Sequence, residues 1–251
     1  MAAIEPLFYL HGFSGSGEEP HFLRRAIGRE VVGIAMPGHG PDYMGEAFSM
    51  QTVNERVDRA RQAKGLEQID VLGYSMGGRA ALTLAVEHPA WLKRLVLVGA
   101  RPGFRLQSER DVRIASDEAL ARRIEERGIL WFAEWWESQP IIASQTSIEP
   151  RLRATMRRCR RAHTPLGLAN SLRFMGSGTM PSLWERLEAL SFPTLLVTGE
   201  KDTAYNSLAQ AMLASLPDGE HVRLAGVGHC AHLEAMALFT ATLGRFFREK
   251  V

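Results

Sequence analysis

Three residues in this sequence are of the types, and in the chain order, that can make a serine reactive: Ser75, Asp202 and His229. Ser75 lies in Gly73-Tyr74-Ser75-Met76-Gly77-Gly78, directly after the apolar run Ile69–Leu72 and before a helical pattern starting near Arg79. A Gly-x-Ser-x-Gly pattern between a strand and a helix is a nucleophile elbow. The turn is so sharp that the serine sits in strained backbone geometry, and the glycines at 73 and 77 supply the missing room. The hydroxyl is thereby lifted to a helix N-terminus, where backbone N–H groups favour negative charge. A serine hydroxyl is nevertheless a poor nucleophile or base without a partner. Gly226-Val227-Gly228-His229 and Gly199-Glu200-Lys201-Asp202 each follow an apolar run. In this order His229 takes the proton from Ser75, and Asp202 fixes the imidazole tautomer and stabilises its charged form. Glu200 is a second acid in the same turn, less well placed than Asp202.

Developing negative charge needs preorganised donors. His11-Gly12-Phe13-Ser14-Gly15 follows the first apolar run, and the N–H groups of Phe13 and Met76 are the expected oxyanion hole, with the Ser14 hydroxyl as a possible addition. His11, and His39 in Pro37-Gly38-His39-Gly40, read as structural. Arg79 lies four residues after Ser75, which returns it to the same helical face beside the site. A guanidinium presents a planar fork matched to a carboxylate, so an anionic substrate is expected.

The elements that must position these groups are legible as short continuous apolar runs: Leu7–Leu10, Val31–Ala35, Ile69–Gly73, Leu95–Ala100, Thr194–Gly199 and Val222–Ala225. Such runs fit parallel strands covered on both faces. Segments long enough for crossover helices separate them, among them Ser49–Lys64 and Arg79–His88, and this alternation argues a doubly wound α/β sheet. More than 90 residues separate the fourth run from the fifth. That is too long for an ordinary crossover. Its helical patterns, Asp117–Arg127, Ile129–Glu137, Arg151–His163 and Leu166–Met175, predict an inserted helical cap over residues 101–189. Residues 1–100 and 190–251 form the core, closed by a helix over His232–Arg248. Gly176-Ser177-Gly178 is a candidate hinge near the end of the cap.

The chain has 251 residues and a net charge of +2, which implies no nucleic-acid or membrane partner. The charge is uneven: residues 101–180 hold 14 arginines and no lysine against 9 acidic residues. Solvated helix faces explain most of these arginines, and part of the excess suits an anion. Cys159 and Cys230 show neither metal spacing nor a disulfide framework. The residues from Met1 to Pro6 have no leader character, and no apolar run reaches the length of a membrane span. A cytoplasmic protein without metal or cofactor, monomeric or a small homo-oligomer, is expected.

These residues place the sequence among the α/β-hydrolases, and within them it resembles the 2-succinyl-6-hydroxy-2,4-cyclohexadiene-1-carboxylate synthases of menaquinone biosynthesis over essentially its whole length. The selective segments are the elbow ending in Arg79, Pro102-Gly103-Phe104 leading to Glu109-Arg110 and Arg113, Phe132-Ala133-Glu134-Trp135-Trp136 leading to Gln139-Pro140-Ile141-Ile142, and Gly167–Leu172 leading to Gly176-Ser177-Gly178 and Pro181–Trp184. The resemblance implies a lyase. Ser75, activated by His229, abstracts a proton from a cyclohexene polycarboxylate, pyruvate is eliminated, and a double bond forms in the ring. It also implies that Tyr74, Arg113 and Trp136 contact substrate. Trp135 and Trp136 are adjacent, so one is expected to face the pocket and the other to pack into the cap. The chain starts almost at its first parallel strand, so the sheet should lack the first antiparallel strands found in many α/β-hydrolases. The same triad also serves a serine carboxylesterase or a carbon–carbon bond hydrolase working through an acyl-enzyme, and fold analogy alone does not separate these chemistries.

Overall fold

The computed structural model describes residues 5–17, 20–41 and 48–250. The first four residues, read above as lacking a leader, lie outside the described residues. Six strands form one sheet: β1 (Leu7–Leu10), β2 (Val31–Ile34), β3 (Ile69–Tyr74), β4 (Leu92–Val98), β5 (Thr194–Gly199) and β6 (Gly219–Leu224). Their order is β2-β1-β3-β4-β5-β6, and every pairing is parallel. No antiparallel strand occurs among the described residues. The chain runs outward from β1 to β2, then returns to place β3 on the other side of β1. That reversal creates a crevice at the carboxyl ends of β1 and β3, where ligands bind in open α/β sheets.

Side chains alternate between the two faces of the strands, and both faces are covered. On one face Phe8, Leu10, Val71, Leu95 and Leu97 pack with α2 (Met50–Ala63) and α3 (Met76–Glu87). On the other, Leu7, Tyr9, Leu72, Val96 and Val98 pack with α1 (Pro20–Ile27) and the C-terminal helices. Ser49 starts α2 by accepting the Thr52 N–H at 3.1 Å, which satisfies one of the donors left open at a helix start.

Between β4 and β5 the chain forms α4 (Gln107–Glu137), α5 (Pro150–Arg161) and α6 (Pro165–Met175). Both α5 and α6 begin with proline, preceded by a side-chain cap, Glu149 and Thr164 respectively. Ala121, Ile124, Phe132, Leu168, Ala169 and Leu172 give this segment an apolar core of its own. The two helices expected at Asp117–Arg127 and Ile129–Glu137 are joined in one run that starts ten residues earlier. Gly128, at φ 81°, marks the break between its halves. The early turns escaped the apolar pattern because they are largely exposed and polar.

After β5 come α7 (Thr203–Leu213) and, after β6, α8 (Ala231–Glu234) and α9 (Met236–Glu249). The single closing helix expected over His232–Arg248 is thus divided at Ala235. The division has a local cause. The Glu234 carboxylate turns back to accept the N–H groups of Gly228 at 2.7 Å and Cys230 at 3.1 Å. No helix among the described residues is long and apolar enough to cross a membrane.

Candidate active site

Ser75 occupies the step between β3 and α3 at φ 50° and ψ −108°, a conformation L-residues rarely adopt. Its N–H donates to Val98 O at 2.9 Å, which ties the elbow to the neighbouring strand. A side chain at 77 would collide with the Leu10 carbonyl, and one at 73 with the Gly77 carbonyl. The glycines are therefore steric requirements of the turn.

His229 Nε2 lies 2.9 Å from Ser75 Oγ, and His229 Nδ1 lies 2.6 Å from Asp202 Oδ2. The imidazole is buried, and the Asp202 side chain retains only 10% exposure. With Asp202 ionised, Nδ1 carries the proton and Nε2 is left to accept one from the serine. Glu200 takes no part. Its carboxylate accepts the Gly226 N–H at 2.9 Å and so braces the turn between β6 and His229. A second brace joins Lys201 N–H to Val227 O at 2.9 Å.

The loop after β1 is held by three imidazoles. His11 Nδ1 donates to Gly12 O at 2.9 Å and its Nε2 accepts the Met36 N–H at 3.1 Å. His39 Nε2 accepts the Ser14 N–H at 3.1 Å. His163, just past the end of α5, accepts the Gly40 N–H and donates to Ser14 O at 3.2 Å. Burial lowers the pKa of all three, to about 4 for His11, so each is a neutral donor–acceptor at neutral pH. The loop they pin includes Ser14 at φ 60°. It presents Phe13 opposite Met76, the first residue of α3, whose N–H has no partner within the helix. Ser14 lines the cavity, and its Oγ accepts from Arg160 Nε at 3.4 Å, which leaves its own O–H free to donate.

A cavity of about 430 Å³ opens on Ser75 and His229. Phe13, Tyr74, Met76, Arg79, Arg113 and Trp136 all line it, so the structure brings together every contact residue singled out from the sequence. Arg79 is buried, and its Nη1 donates to Met175 O at 2.7 Å. Desolvation, then repulsion from Arg113 and Arg101, lowers its pKa to about 10, which leaves it charged. Arg113 Nε is held 2.9 Å from both oxygens of Asp117. Tyr74 packs 5.4 Å from the His229 ring.

Two expectations change. Trp135 and Trp136 both line the cavity. Their rings are tilted by 42°, Trp136 against Phe13 and Phe132, Trp135 against Trp131, so a concave wall accommodates both. Gly176-Ser177-Gly178 is not an open hinge. A Cβ on Gly176 would meet Asp117, and one on Gly178 would lie 2.8 Å from Arg110 O, so this stretch is packed hard against α4.

The sequence reading missed Arg160, Ser177 and Tyr205, which also line the cavity. Arg160 had a signal. Leu152, Met156 and Cys159 mark the buried face of α5 by their spacing, and Arg160 adjoins that face. Ser177 lay in the Gly176-Ser177-Gly178 segment, singled out as a hinge and not as a site, and Tyr205 had no signal, because only tertiary packing turns it inward.

Comparison with known proteins agrees with this geometry. The family described as the alpha/beta hydrolase fold matches residues 5–235. A protein of Bacillus subtilis (strain 168) provisionally named 2-succinyl-6-hydroxy-2,4-cyclohexadiene-1-carboxylate synthase is 34% identical over 97% of this chain and 90% of its own. The synthase of that name from Serratia proteamaculans (strain 568) is 27% identical over 96% of this chain and 92% of its own. The solved structure of MenH from S. aureus superposes with a TM-score of 0.93 at 29% identity, covering 100% of this chain and 96% of that one. This chain therefore belongs to the α/β-hydrolase family and, inside it, to the family of the 2-succinyl-6-hydroxy-2,4-cyclohexadiene-1-carboxylate synthases.

Proposed function

We propose that this chain is a lyase that eliminates pyruvate from a succinyl-cyclohexene polycarboxylate in menaquinone biosynthesis. Ser75, Asp202 and His229 act as one general base. As His229 accepts the Ser75 proton, the Ser75 oxygen removes a proton from a ring carbon of the substrate. The electron pair released at carbon becomes a ring double bond, the ring carbon–oxygen bond to the leaving group breaks, and the departing enolate takes up a proton, for which protonated His229 is the donor, to leave as pyruvate. Charge that builds on a carbonyl or carboxylate oxygen is met by the N–H groups of Phe13 and Met76. Arg79 and Arg113 hold substrate carboxylates, and Tyr74 and Trp136 shape the wall around the ring. Residues 101–189 serve as the cap that closes the cavity from above. We place the enzyme in the cytoplasm, as a monomer or small homo-oligomer.

The observation that carries this reading is Arg79. It is a buried guanidinium one helical turn from Ser75, bonded to a carbonyl and, among the described residues, to no carboxylate. A buried cation without an anion is costly. A site built for neutral esters has no use for that cost, whereas a substrate carboxylate removes it. The test is a coupled pyruvate assay with the unstable precursor generated in situ. Fast release that falls by three or more orders of magnitude in Ser75→Ala is the expected result. Release no faster than the spontaneous reaction would end the lyase reading and leave a serine hydrolase for a small acidic ester.

A further inference from the structure

The positive charge around the cavity exceeds what its neighbours neutralise. Among the described residues Arg113 is matched by Asp117, but Arg79 bonds only a carbonyl, and the buried Nε of Arg101 makes no hydrogen bond. Arg101 stands in the loop after β4, with its guanidinium carbon 3.5 Å from the centre of the Phe104 ring. Two further polar groups are unmet. The Ser177 Oγ is buried without a partner in the cavity wall. Tyr205 lies in the first turn of α7 with its ring centroid 4.5 Å from that of His229. Its hydroxyl makes no hydrogen bond among the described residues, and Arg101, Arg79 and Arg113 are all within electrostatic range of it. Buried hydroxyls in folded proteins nearly always find partners, so the buried Ser177 Oγ, together with a Tyr205 side chain that lines the same cavity, marks a group that binds there.

We infer that Tyr205 and Ser177, backed by the charge of Arg101, form a second carboxylate subsite beside Arg79, and that Tyr205 selects substrates bearing two or more carboxylates. The inference rests on the polycarboxylate reading above and names which side chains read the second acid group. The chemistry is complementary. A carboxylate accepts several hydrogen bonds, and a phenol and an alcohol donate one each in a setting where nearby guanidinium charge already favours the anion. Burial favours the neutral, donating form of the Tyr205 phenol over the phenolate. Packed on the His229 ring, Tyr205 also fixes the bound acid at a set distance from the base, so it contributes position as well as affinity.

The experiment is calorimetric titration with succinate and with butanoate, which share a four-carbon chain and differ in one carboxylate. The wild-type protein should bind succinate at least about tenfold more tightly than butanoate. Tyr205→Phe keeps the ring against His229 and removes only the hydroxyl, and Ser177→Ala removes the other donor. Each should bring the succinate-to-butanoate ratio down several-fold, with melting temperature within a few degrees of wild type. In the pyruvate assay Tyr205→Phe should raise KM about tenfold while kcat falls less. A wild-type ratio near one, or a ratio the same in Tyr205→Phe as in wild type, overturns the inference. The two readings fail separately. A wild type that prefers succinate yet releases no pyruvate would remove the lyase reading and keep the subsite, and pyruvate release without succinate preference would do the reverse.

Discussion

The two ends of β3 hold buried guanidinium charge in opposite states. At the amino end Asp70, fully buried, accepts a two-pronged contact from Arg94 at 2.7 and 2.8 Å and a third bond from Arg29 at 2.8 Å. Phe247 lies 4.7 to 4.8 Å beneath both guanidinium groups, and Arg94 also donates to Phe247 O and Lys250 O, which docks the C-terminal helix. At the carboxyl end, one residue past β3, Ser75 opens on a cavity lined by Arg79, with Arg101 in the loop after β4, and among the described residues no carboxylate is bonded to either. The same strand thus ends in a closed ion network at one side and an open one at the other. The closed network holds the fold, and the open one holds an affinity that the fold leaves unspent.

The largest expected effects break this contrast from both sides. Asp70→Ala leaves two buried cations without their anion and should cost about 3–5 kcal/mol of stability, read from urea midpoints. Arg79→Met has the opposite sign. It removes an uncompensated buried charge, so stability should hold or rise, while kcat/KM for the polycarboxylate falls about 30- to 100-fold, or about 2–3 kcal/mol of transition-state binding. A stability loss in Arg79→Met as large as that in Asp70→Ala would mean that Arg79 is a structural residue and that the contrast is false.

The same contrast explains what the sequence revealed. Ser75, Asp202 and His229 were legible because each sits where a strand ends, and a strand end is marked locally by an apolar run and a glycine turn. The parallel core was legible for the same reason, since its strands are continuous Leu/Val/Ile runs. Asp70 was not singled out. It is one charge inside an apolar run, and its partners Arg94 and Arg29 lie in other elements. Tyr205 was silent, and Ser177 was noted only as part of a glycine-flanked segment, because nothing within a few residues of either fixes which way it points. The early turns of α4 were missed because an exposed face has no apolar period. Local chemistry can be read along the chain, whereas a site assembled across the cap can be read only from its packing.

Next in size is the response to acid, which tests the neutral imidazole clamp on the Gly12–Ser14 loop. His11 is held at about 4 in the fold, against an ordinary value near 6.5, mainly by burial. Its folded-state pKa is lowered, so the unfolded chain binds the proton that the folded chain refuses. Stability is then complete above about pH 6.5 and is lost as pH falls toward 4, at up to about 1.4 kcal/mol per pH unit for each such imidazole. His39 and His163 are lowered by the same cause and add to the slope. Urea midpoints at pH 7, 5.5 and 4.5 should fall steadily, and His163→Gln, which keeps a donor for Ser14 O but has no imidazole to protonate, should flatten the curve. Equal slopes in the two proteins would show that carboxylates alone drive the acid loss.

The smallest effect sharpens the comparison most, because it asks whether the segment between β4 and β5, the proposed cap, helps to place the base. Ser144, in the short helical segment Pro140–Ser147 between β4 and β5, donates to Glu234 Oε1 at 2.9 Å. Glu234 in turn accepts the backbone N–H groups on both sides of His229, those of Gly228 and Cys230. Ser144 also sits where any side chain on Gly228 would have to go. The segment between β4 and β5 therefore reaches the His229 loop through this carboxylate as well as through the apolar packing of Ile148, Leu152 and Met156 with Val227 and Cys230. Ser144→Ala removes one of three bonds to that carboxylate, and a neutral hydrogen bond to a charged group is worth about 1.5–3 kcal/mol at most, less where two partners remain. Melting temperature should move by no more than a few degrees, since the loss is small on the scale of a domain this size. The Ser75–His229 contact, at 2.9 Å, depends on where that loop sits, and small displacements of reacting groups are amplified in rate. A two- to tenfold fall in kcat with KM nearly unchanged is the expected result. A fall in stability with kcat intact would show that the serine fastens the cap and leaves the placement of His229 to β6 and its own turn.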